Sequence, residues 1–419
     1  MTQTLNTQQR ASLTLWYLVN ASLSTYSKLL AAFGTAAEAI SVSSSDWRAL
    51  GIHPAHLARL DDSGGTDQVM TTIDSALANS QYRIIFQDSP DYPLQLAQLY
   101  DPPPLLFCRG NIARLHEPQI AIVGSRKPSA QAQKITFDMA QYLAQAGYVI
   151  TSGLAMGVDH QAHLGALTLI DANTANLPTH GGGRTIGVMG TGIDVCYPKN
   201  HDGLFERIAR EGGCLVSELL PGTPPNKYTF PRRNRIVAGL SLATIVTEAA
   251  VKSGSLITAR LASEQGKQVF AVPSHIDNTN AEGCHHLIRE GATLIYHPEQ
   301  IIEDVRLQSE RSSVSAHLGS GMDSGSSDLQ DQPHSKSIDP LTPSAKSLSK
   351  TASLAALDKT KIEVSPHLAK IYQRLDWSGQ DLDALIKVTG LDTPSLLSQL
   401  MELELLGLVT QQGGRYLKV

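Results

Sequence analysis

The sequence has few cysteines and no long apolar run. Its four cysteines (Cys108, Cys196, Cys214 and Cys284) stand singly and far apart, so we expect reduced thiols rather than a zinc site or a disulfide framework. The longest apolar stretches, such as LATIV at 242–246, fall well short of the ~20 residues that span a bilayer. No basic start followed by an apolar run indicates a secretory signal. These patterns predict a cytoplasmic protein that does not contact a membrane.

Recognisable catalytic motifs are also missing. The sequence contains no HExxH pair, no Ser-His-Asp arrangement, no clustered carboxylates and no phosphate-loop lysine. Asp159 and His163 lie four residues apart on a predicted helix, but without a third ligand nearby a metal site is not expected. A helical contact that positions the preceding loop is the favoured interpretation of this pair. The residues therefore predict binding without an obvious nucleophile or general base, with no metal and no cofactor.

Length and charge limit the remaining possibilities. A chain of 419 residues is too long for one ordinary core, so two or three domains are expected. The formal net charge of −5 argues against a protein that coats nucleic acid with its whole surface. A local basic patch is still compatible with that charge, so each segment has to be considered separately.

Composition and periodicity divide the chain into four segments. Residues 1–80 alternate amphipathic helical patterns with Ser and Gly breaks, which predicts a small helical domain of the SAM or helix-hairpin-helix kind. Residues 81–306 form the main domain, and residues 307–358 are a Ser- and Gly-rich segment typical of a flexible linker. In residues 359–419, three helical patterns and two short strands about a Gly-Gly turn predict a winged-helix domain.

Strands and helices alternate in the main domain from about residue 119. The series begins with QIAIVG at 119–124 and ends with ATLIY at 292–296. Repeated βα units with uniformly apolar strands predict an α/β fold with a Rossmann-like, doubly wound parallel sheet. Because ligands of such sheets bind at the carboxyl ends of the strands, we expect function in the loops that follow them.

The segment PPNKYTFPRRNRIVAGL at 224–240 is rich in arginine and lysine and includes two aromatic residues. No acidic residue occurs between Glu218 and Glu248. Cationic side chains can contact the phosphates of a nucleic-acid backbone, and aromatic rings can stack with its bases. This combination is suited to single-stranded nucleic acid. The alternative is an ordinary solvated charged surface; the neighbouring strand end, the aromatic residues and the prolines favour binding.

Two further loops have features that suit an anion. Gly124-Ser125-Arg126-Lys127 lies between a strand and a helix, where free backbone amides attract an anion. The arginine can form bidentate hydrogen bonds with phosphate oxygens. Ser253-Gly254-Ser255 opens a later helix in a similar way. An ordinary βα turn and a plain serine N-cap remain open alternatives for the two loops.

Several long motifs together resemble one known family. IVGSRKPS, SGLAMGVDHQAH, GTGIDVCYPKN, FPRRNRIVAGLS and TEAAVKSGSLITA are similar in order and spacing to the DprA (DNA-processing A, Smf) family, most strongly over residues 82–306. The resemblance implies a non-enzymatic, Rossmann-like protein that binds single-stranded DNA, forms a homodimer and helps load the recombinase RecA during natural transformation. An enzyme on a similar scaffold, such as a nucleotide phosphoribohydrolase, is the alternative, but its PGGxGT-type loop is absent.

The resemblance also implies a set of DNA-binding residues. Three groups of positions match the family's motifs, and Lys199 after Tyr197-Pro198 is a weaker candidate. The groups are Gly124, Ser125, Arg126 and Lys127; Lys227, Phe230, Arg232, Arg233, Asn234 and Arg235; and Ser253, Gly254 and Ser255.

This sequence departs from the family pattern at a few places. Ser274 stands where the family usually has glycine, and His285 stands where it usually has asparagine. Residues 171–184 form an insertion in a loop that is short in typical relatives. The winged-helix segment is acidic on its second and third helices, whereas a helix that reads the major groove is normally basic. Partner contact or regulation is therefore at least as plausible a role for that segment as DNA reading.

Overall fold

The computed structural model describes residues 2–168, 183–307, 366–375, 380–405, 408–412 and 415–418. The chain divides into two compact units, Met1–Ser326 and Ser327–Val419. The linker expected at 307–358 (beyond its first residue), most of the insertion at 171–184 and the Gly-Gly turn at 413–414 lie outside the described residues. The four domain limits remain predictions.

Six helices form the N-terminal part of the first unit. Their buried apolar side chains, among them the fully buried Trp16 and Trp47, share one hydrophobic core with side chains of the sheet such as Phe107. The helical segment therefore packs directly against the main domain. The helices are α1 (Thr7–Leu18), α2 (Leu23–Phe33), α3 (Ala36–Ser41), α4 (Ser44–Ala49), α5 (Pro54–Asp61) and α6 (Ser63–Ala78).

The main domain is built on a sheet of nine described strands in the order β1-β2-β6-β5-β4-β3-β7-β8-β9. The seven strands from β6 to β9 are parallel, whereas β1 and β2 are antiparallel and extend the edge beside β6. The strands are β1 (Arg83–Phe86), β2 (Leu105–Gly110), β3 (Gln119–Val123), β4 (Val149–Ser152), β5 (Thr185–Val188), β6 (Cys214–Ser217), β7 (Ala243–Val246), β8 (Gln268–Ala271) and β9 (Thr293–Leu294).

Helices cover both faces of this sheet. Alternate residues of β3 face opposite ways, as the two-residue period of a strand requires: Ile120 and Ile122 pack into one core, and Ala121 and Val123 into the other. The first core includes α8, α9 and α14, and the second includes α7, α11, α12 and α13. These helices are α7 (Leu94–Ala97), α8 (Ala130–Gln145), α9 (Val158–Leu167), α10 (Asp202–Arg210), α11 (Thr229–Leu240), α12 (Ser255–Glu264), α13 (Glu282–Arg289) and α14 (298–307).

The strand order has a switch point between β3 and β7. Successive strands run one way from β3 to β6 and the other way from β7 to β9, so the loops after β3 and β7 diverge and leave a crevice between them. This arrangement confirms the predicted Rossmann-like, doubly wound architecture; the antiparallel pair β1–β2 is an addition that the repeated βα pattern did not predict.

The described residues of the second unit form three helices and a small antiparallel sheet. Its core consists of leucines and other apolar residues, including Leu368, Leu385, Leu396 and Leu400, all fully buried. Strand β10 adds a third strand that the sequence analysis did not predict. The elements are α15 (Pro366–Arg374), β10 (Gln380–Asp381), α16 (Leu382–Thr389), α17 (Thr393–Leu405), β11 (Val409–Gln412) and β12 (Arg415–Lys418).

Candidate nucleic-acid interface

A cavity of about 680 Å³ opens at the switch point of the sheet. The loop after β3, the loop after β4 and the loop before α12 all contribute to its wall, together with the first turns of α11. Four cationic side chains and one carboxylate line it: Arg126, Lys227, Arg233, Lys252 and Asp159. The basic segment and the two loops that the sequence analysis singled out therefore meet at one positively charged site.

The loop of residues 125–129 is held at both ends by Glu248. The backbone amide of Ser125 donates to the carbonyl oxygen of Glu248 at 2.7 Å. At the other end, Oε1 of Glu248 accepts from the amide of Ser129 at 2.9 Å, and Oε2 accepts from its hydroxyl at 2.7 Å. A buried carboxylate thus occupies the start of α8, where free amides for an external anion were expected. The contribution of this loop to the cavity is the side chain of Arg126.

Two aromatic rings form one wall of the cavity. The rings of Phe230 and Tyr197 lie 5.3 Å apart at an interplanar angle of 39°. Phe230 packs on Gly190, where an added Cβ atom would lie 2.6 Å from the ring. Tyr197 is 44% exposed, and Phe230 is partly exposed. Half-exposed rings beside cations are suited to stacking with a nucleobase.

Arg233 and Asp159 form the floor of the cavity. Arg233 is 6% exposed, and Nε of its guanidinium has no hydrogen-bond partner among the described residues. Asp159 is buried, and its Oδ2 accepts from the amides of Gly153 at 3.1 Å and Ala155 at 3.2 Å. An added Cβ atom on Gly153 would lie 1.9 Å from Nη1 of Arg233, so only glycine allows the guanidinium to rest there.

Burial controls the charge of both floor residues. It lowers the pKa of Arg233 to about 10; nearby Asp159 opposes this shift, and Arg126 adds to it. Burial also raises the pKa of Asp159, while Arg233 and the two backbone amides oppose that change. Asp159 positions the loop after β4 as expected, but its partners are backbone amides. The expected contact with His163 is replaced by a 2.7 Å hydrogen bond between Nδ1 of His163 and Oγ1 of Thr185.

Arg232 and Arg235 lie on another face of α11 and bind Glu218. We call these three residues the Glu218 cluster. Both guanidinium groups contact Oε2 of Glu218, which is 2% exposed, and the Arg232 distance is 3.0 Å. Arg232 also donates to the carbonyl oxygen of Ala21, and Arg235 to that of Asp101. The cluster joins the N-terminal helices and the connector before β2 to the main domain.

The start of α12 forms another part of the cavity wall. Ser253, Gly254 and Ser255 line the cavity, and the hydroxyl groups of the two serines lie 2.6 Å apart. Asn234 donates to the carbonyl oxygen of Gly254 at 3.4 Å and so links α11 to this loop. The predicted Ser-Gly-Ser loop is therefore at the cavity, beside the predicted basic segment.

The structure divides the residues that the sequence analysis proposed into two groups. Nine of them line the cavity: Gly124, Arg126, Lys227, Phe230, Arg233, Asn234, Ser253, Gly254 and Ser255. Five lie outside its lining: Ser125, Lys127, Lys199, Arg232 and Arg235. Of these five, Lys127 and Lys199 are exposed, and Ser125 is bound to Glu248.

Sequence reasoning missed Tyr197, Asn226 and Lys252 as cavity residues. Lys252 directly precedes the Ser-Gly-Ser loop, and Tyr197 follows the loop after β5, so their positions after parallel strands were an available signal. The buried role of Glu248 had no comparable signal, because it depends on contacts with residues over a hundred positions away.

Two of the departures from the family pattern, Ser274 and His285, contact each other. The amide of Ser274 donates to Nε2 of His285 at 3.3 Å, and Oγ of Ser274 accepts from Asn278 at 2.9 Å. Asn278 also approaches Oε2 of Glu248 at 3.4 Å. The departures therefore form one connected network beside the loop of residues 125–129.

Fold and site together define a Rossmann-like protein with a cationic, aromatic-lined cavity at the switch point of its sheet. Within the described residues no helix is long and apolar enough to cross a bilayer. Nor do those residues contain a cluster of three side chains able to hold a metal ion.

Comparison with known proteins identifies the family. The model described as DNA recombination-mediator protein A matches residues 83–306, and the DprA winged helix domain matches residues 355–415. Protein Smf of Escherichia coli is 35% identical over 343 residues, covering 82% of this chain and 79% of the relative. DNA processing protein DprA of Streptococcus pneumoniae is 44% identical over 213 residues, covering 51% of this chain and 71% of the relative.

A solved structure agrees with these matches. The X-ray structure of DNA processing protein A from Streptococcus pneumoniae has a TM-score of 0.57 and 33% sequence identity, and the match covers 72% of this chain and 98% of that chain. The chain belongs to the DNA processing protein A (DprA/Smf) family, and its C-terminal unit is a winged-helix domain.

Proposed function

We propose that this protein binds single-stranded DNA in the cavity at the switch point. The single observation that carries the proposal is the joint placement of four cationic side chains and the rings of Tyr197 and Phe230 around one cavity. Cations neutralise phosphates, and half-exposed rings stack with bases of any sequence. The nine proposed residues in the lining act directly on the strand, and Arg232 and Arg235 act by fixing α11.

The family match supports a wider role for this binding. The matching model is described as a recombination mediator, and relatives are named DNA processing proteins. With the resemblance in sequence motifs, this supports a cytoplasmic, non-enzymatic homodimer that helps load RecA onto single strands during natural transformation. Size-exclusion chromatography with light scattering tests the dimer, and RecA filament formation on protein-coated strands tests the loading.

A binding measurement tests the central proposal. Fluorescence anisotropy with labelled oligo-dT should show binding that weakens as salt rises, because each neutralised phosphate releases about 0.7 counterions. A duplex of the same length should bind more weakly, because its bases cannot reach the two rings. Equal affinity for both, independent of salt, would contradict the assignment.

The alternative function, nucleotide processing, rests on the one carboxylate in the cavity. Asp159 is buried and accepts two backbone hydrogen bonds, so its geometry suits loop support better than proton transfer. Incubation with nucleoside monophosphates separates the two functions. Release of free base would favour the enzyme.

The position of the cavity also supports a division of labour between the two units. All the proposed DNA contacts lie before residue 306. A chain that ends at 306 should therefore keep the full affinity for oligo-dT. The fragment 359–419 should fold around its own apolar core and bind oligo-dT weakly or not at all.

A further inference from the structure

The buried guanidinium of Arg233 has no counter-charge in contact with it. Arg232 and Arg235 on the same helix both form ion pairs with Glu218, whereas no ion pair with Arg233 occurs within the described part of the chain. The nearest acid, Asp159, is already engaged by Gly153 and Ala155. A buried charge is tolerated when it is paired and hydrogen-bonded. Arg233 therefore lacks a counter-anion, and an anionic ligand that enters the cavity can supply one.

Other parts of the cavity lining also favour an anionic ligand. The N-terminus of the ten-residue helix α12 opens into the cavity through Ser253, Gly254 and Ser255, and its dipole favours negative charge. Arg126 adds a second guanidinium at the rim. Arginines bind phosphate oxygens through two parallel hydrogen bonds, which gives both strength and geometry.

Shape limits which phosphate can reach the floor. Arg233 is the one buried cation of the lining, and its guanidinium lies against the buried backbone of Gly153. A volume of about 680 Å³ is in the range of a pocket for one small molecule. An internal phosphodiester carries a nucleoside on both sides, and both would have to enter. A terminal phosphate carries a nucleoside on one side only.

Charge also favours a terminal phosphate over an internal phosphodiester. A phosphate monoester carries about −1.5 to −2 at neutral pH, whereas an internal phosphodiester carries a single charge. The cavity offers four cationic side chains against one carboxylate. The more highly charged group therefore gains more from this lining.

We propose that Arg233 at the floor of the cavity, together with the start of α12 in its wall, forms a subsite for a terminal phosphate monoester. The protein then binds the phosphorylated end of a strand in preference to its interior, and Tyr197 and Phe230 stack with the terminal bases. This inference rests on the proposed function, because it assigns one part of the strand to one part of the same cavity.

Binding of the unmodified protein to four strands tests the subsite. The strands are oligo-dT with a 5′-phosphate, with a 3′-phosphate, with hydroxyl groups at both ends, and a circular strand without ends. We expect one of the phosphorylated strands to bind roughly tenfold tighter than the hydroxyl and circular strands, the size of one charge-assisted hydrogen bond. Comparison of the 5′ and 3′ forms shows which end enters. Equal dissociation constants for all four would overturn the subsite and leave single-strand binding intact; no binding to any strand would instead refute the proposed function.

The substitution Arg233→Met tests the residue assigned to the floor. It should remove the preference for the phosphorylated end, so that the substituted protein binds phosphorylated and hydroxyl-ended strands equally. Its thermal midpoint reports a separate effect, because the substitution removes a buried charge and also the neighbour that favours ionised Asp159. Arg210→Met is the matched control, since Arg210 is an exposed arginine outside the cavity. Retention of the end preference in Arg233→Met would refute the assignment.

A ligand-shift measurement covers the case in which Arg233→Met does not fold. Deoxythymidine monophosphate should raise the thermal midpoint of the unmodified protein, whereas thymidine at the same concentration should not, because only the former supplies a monoester. Equal shifts for the two compounds would contradict the subsite.

Discussion

The floor of the cavity and the Glu218 cluster use neighbouring arginines of one helix in opposite ways. In the Glu218 cluster, Arg232 and Arg235 share a buried carboxylate and hold three parts of the first unit together. At the floor, Arg233 is as buried as Arg235 but has no ion pair within the described residues. Paired cations stabilise the fold, and the unpaired cation is available to a ligand.

Helix geometry explains the division. Residues three apart lie on the same face of an α-helix, so Arg232 and Arg235 point together toward Glu218. Arg233 is displaced by about 100° around the helix and points into the cavity. A single basic run in the sequence therefore contributes to two structural roles.

The largest effect is expected from breaking the Glu218 cluster. Glu218→Gln leaves two largely buried guanidinium groups without their carboxylate, and we expect a loss of about 3–5 kcal/mol in the free energy of unfolding. Chemical denaturation measures this loss. Glu206→Gln is the control, because Glu206 belongs to exposed ion pairs and should change stability by about 1 kcal/mol or less. A Glu218→Gln protein as stable as the original would show that the cluster is not structural.

The contrast between the two regions also shows what the sequence could predict. Parallel βα units and the position of the functional loops followed from apolar periodicity, because strand ends meet at one edge of the sheet. The roles of the arginines did not follow, because helical spacing places Arg232 and Arg235 on one face but does not say which face meets a buried carboxylate. The pairing with Glu218 depends on tertiary packing, which a single sequence does not reveal.

A second prediction concerns His163, a buried histidine that stays neutral. Burial lowers the pKa of His163 to about 3, and nearby His160, Arg233 and His201 act in the same direction. Between pH 6.5 and 3 the unfolded chain binds a proton at His163 that the folded chain does not. The contribution of neutral His163 to the free energy of unfolding is therefore fully present above pH 6.5 and is lost as the pH is lowered. The loss should approach about 1.4 kcal/mol per pH unit from this one group.

Denaturation at several pH values measures this dependence. His163→Asn keeps a donor toward Thr185 and should flatten the loss of stability below pH 6.5. His116→Asn, at an exposed position, should leave it in place. An unchanged pH dependence in His163→Asn would show that other groups cause it.

The third prediction separates stacking from packing at the cavity wall. Phe230→Ala should weaken oligo-dT binding by about 1–3 kcal/mol through the loss of base stacking, with the salt dependence retained. Phe230→Tyr keeps a ring and should bind nearly as well, whereas Phe230→Leu keeps apolar bulk without a ring. If Leu restores affinity as fully as Tyr, the ring at position 230 acts through packing against Gly190 rather than through stacking.

The smallest effect is expected from the rim cations, and it distinguishes the two regions most directly. Arg126→Ala and Lys227→Ala each remove one exposed cation of the cavity, so each should reduce the slope of log K against log salt by about 0.7 for every phosphate that is no longer neutralised. Their thermal midpoints should stay close to that of the original protein, because both side chains are exposed.

Arg232→Ala should show the reverse: a lower thermal midpoint from the broken Glu218 cluster, with the salt slope unchanged. Anisotropy titrations at several salt concentrations, together with thermal unfolding, measure both quantities. A reduced slope in Arg232→Ala would place the Glu218 cluster against the strand and remove the division between structural and ligand-binding arginines.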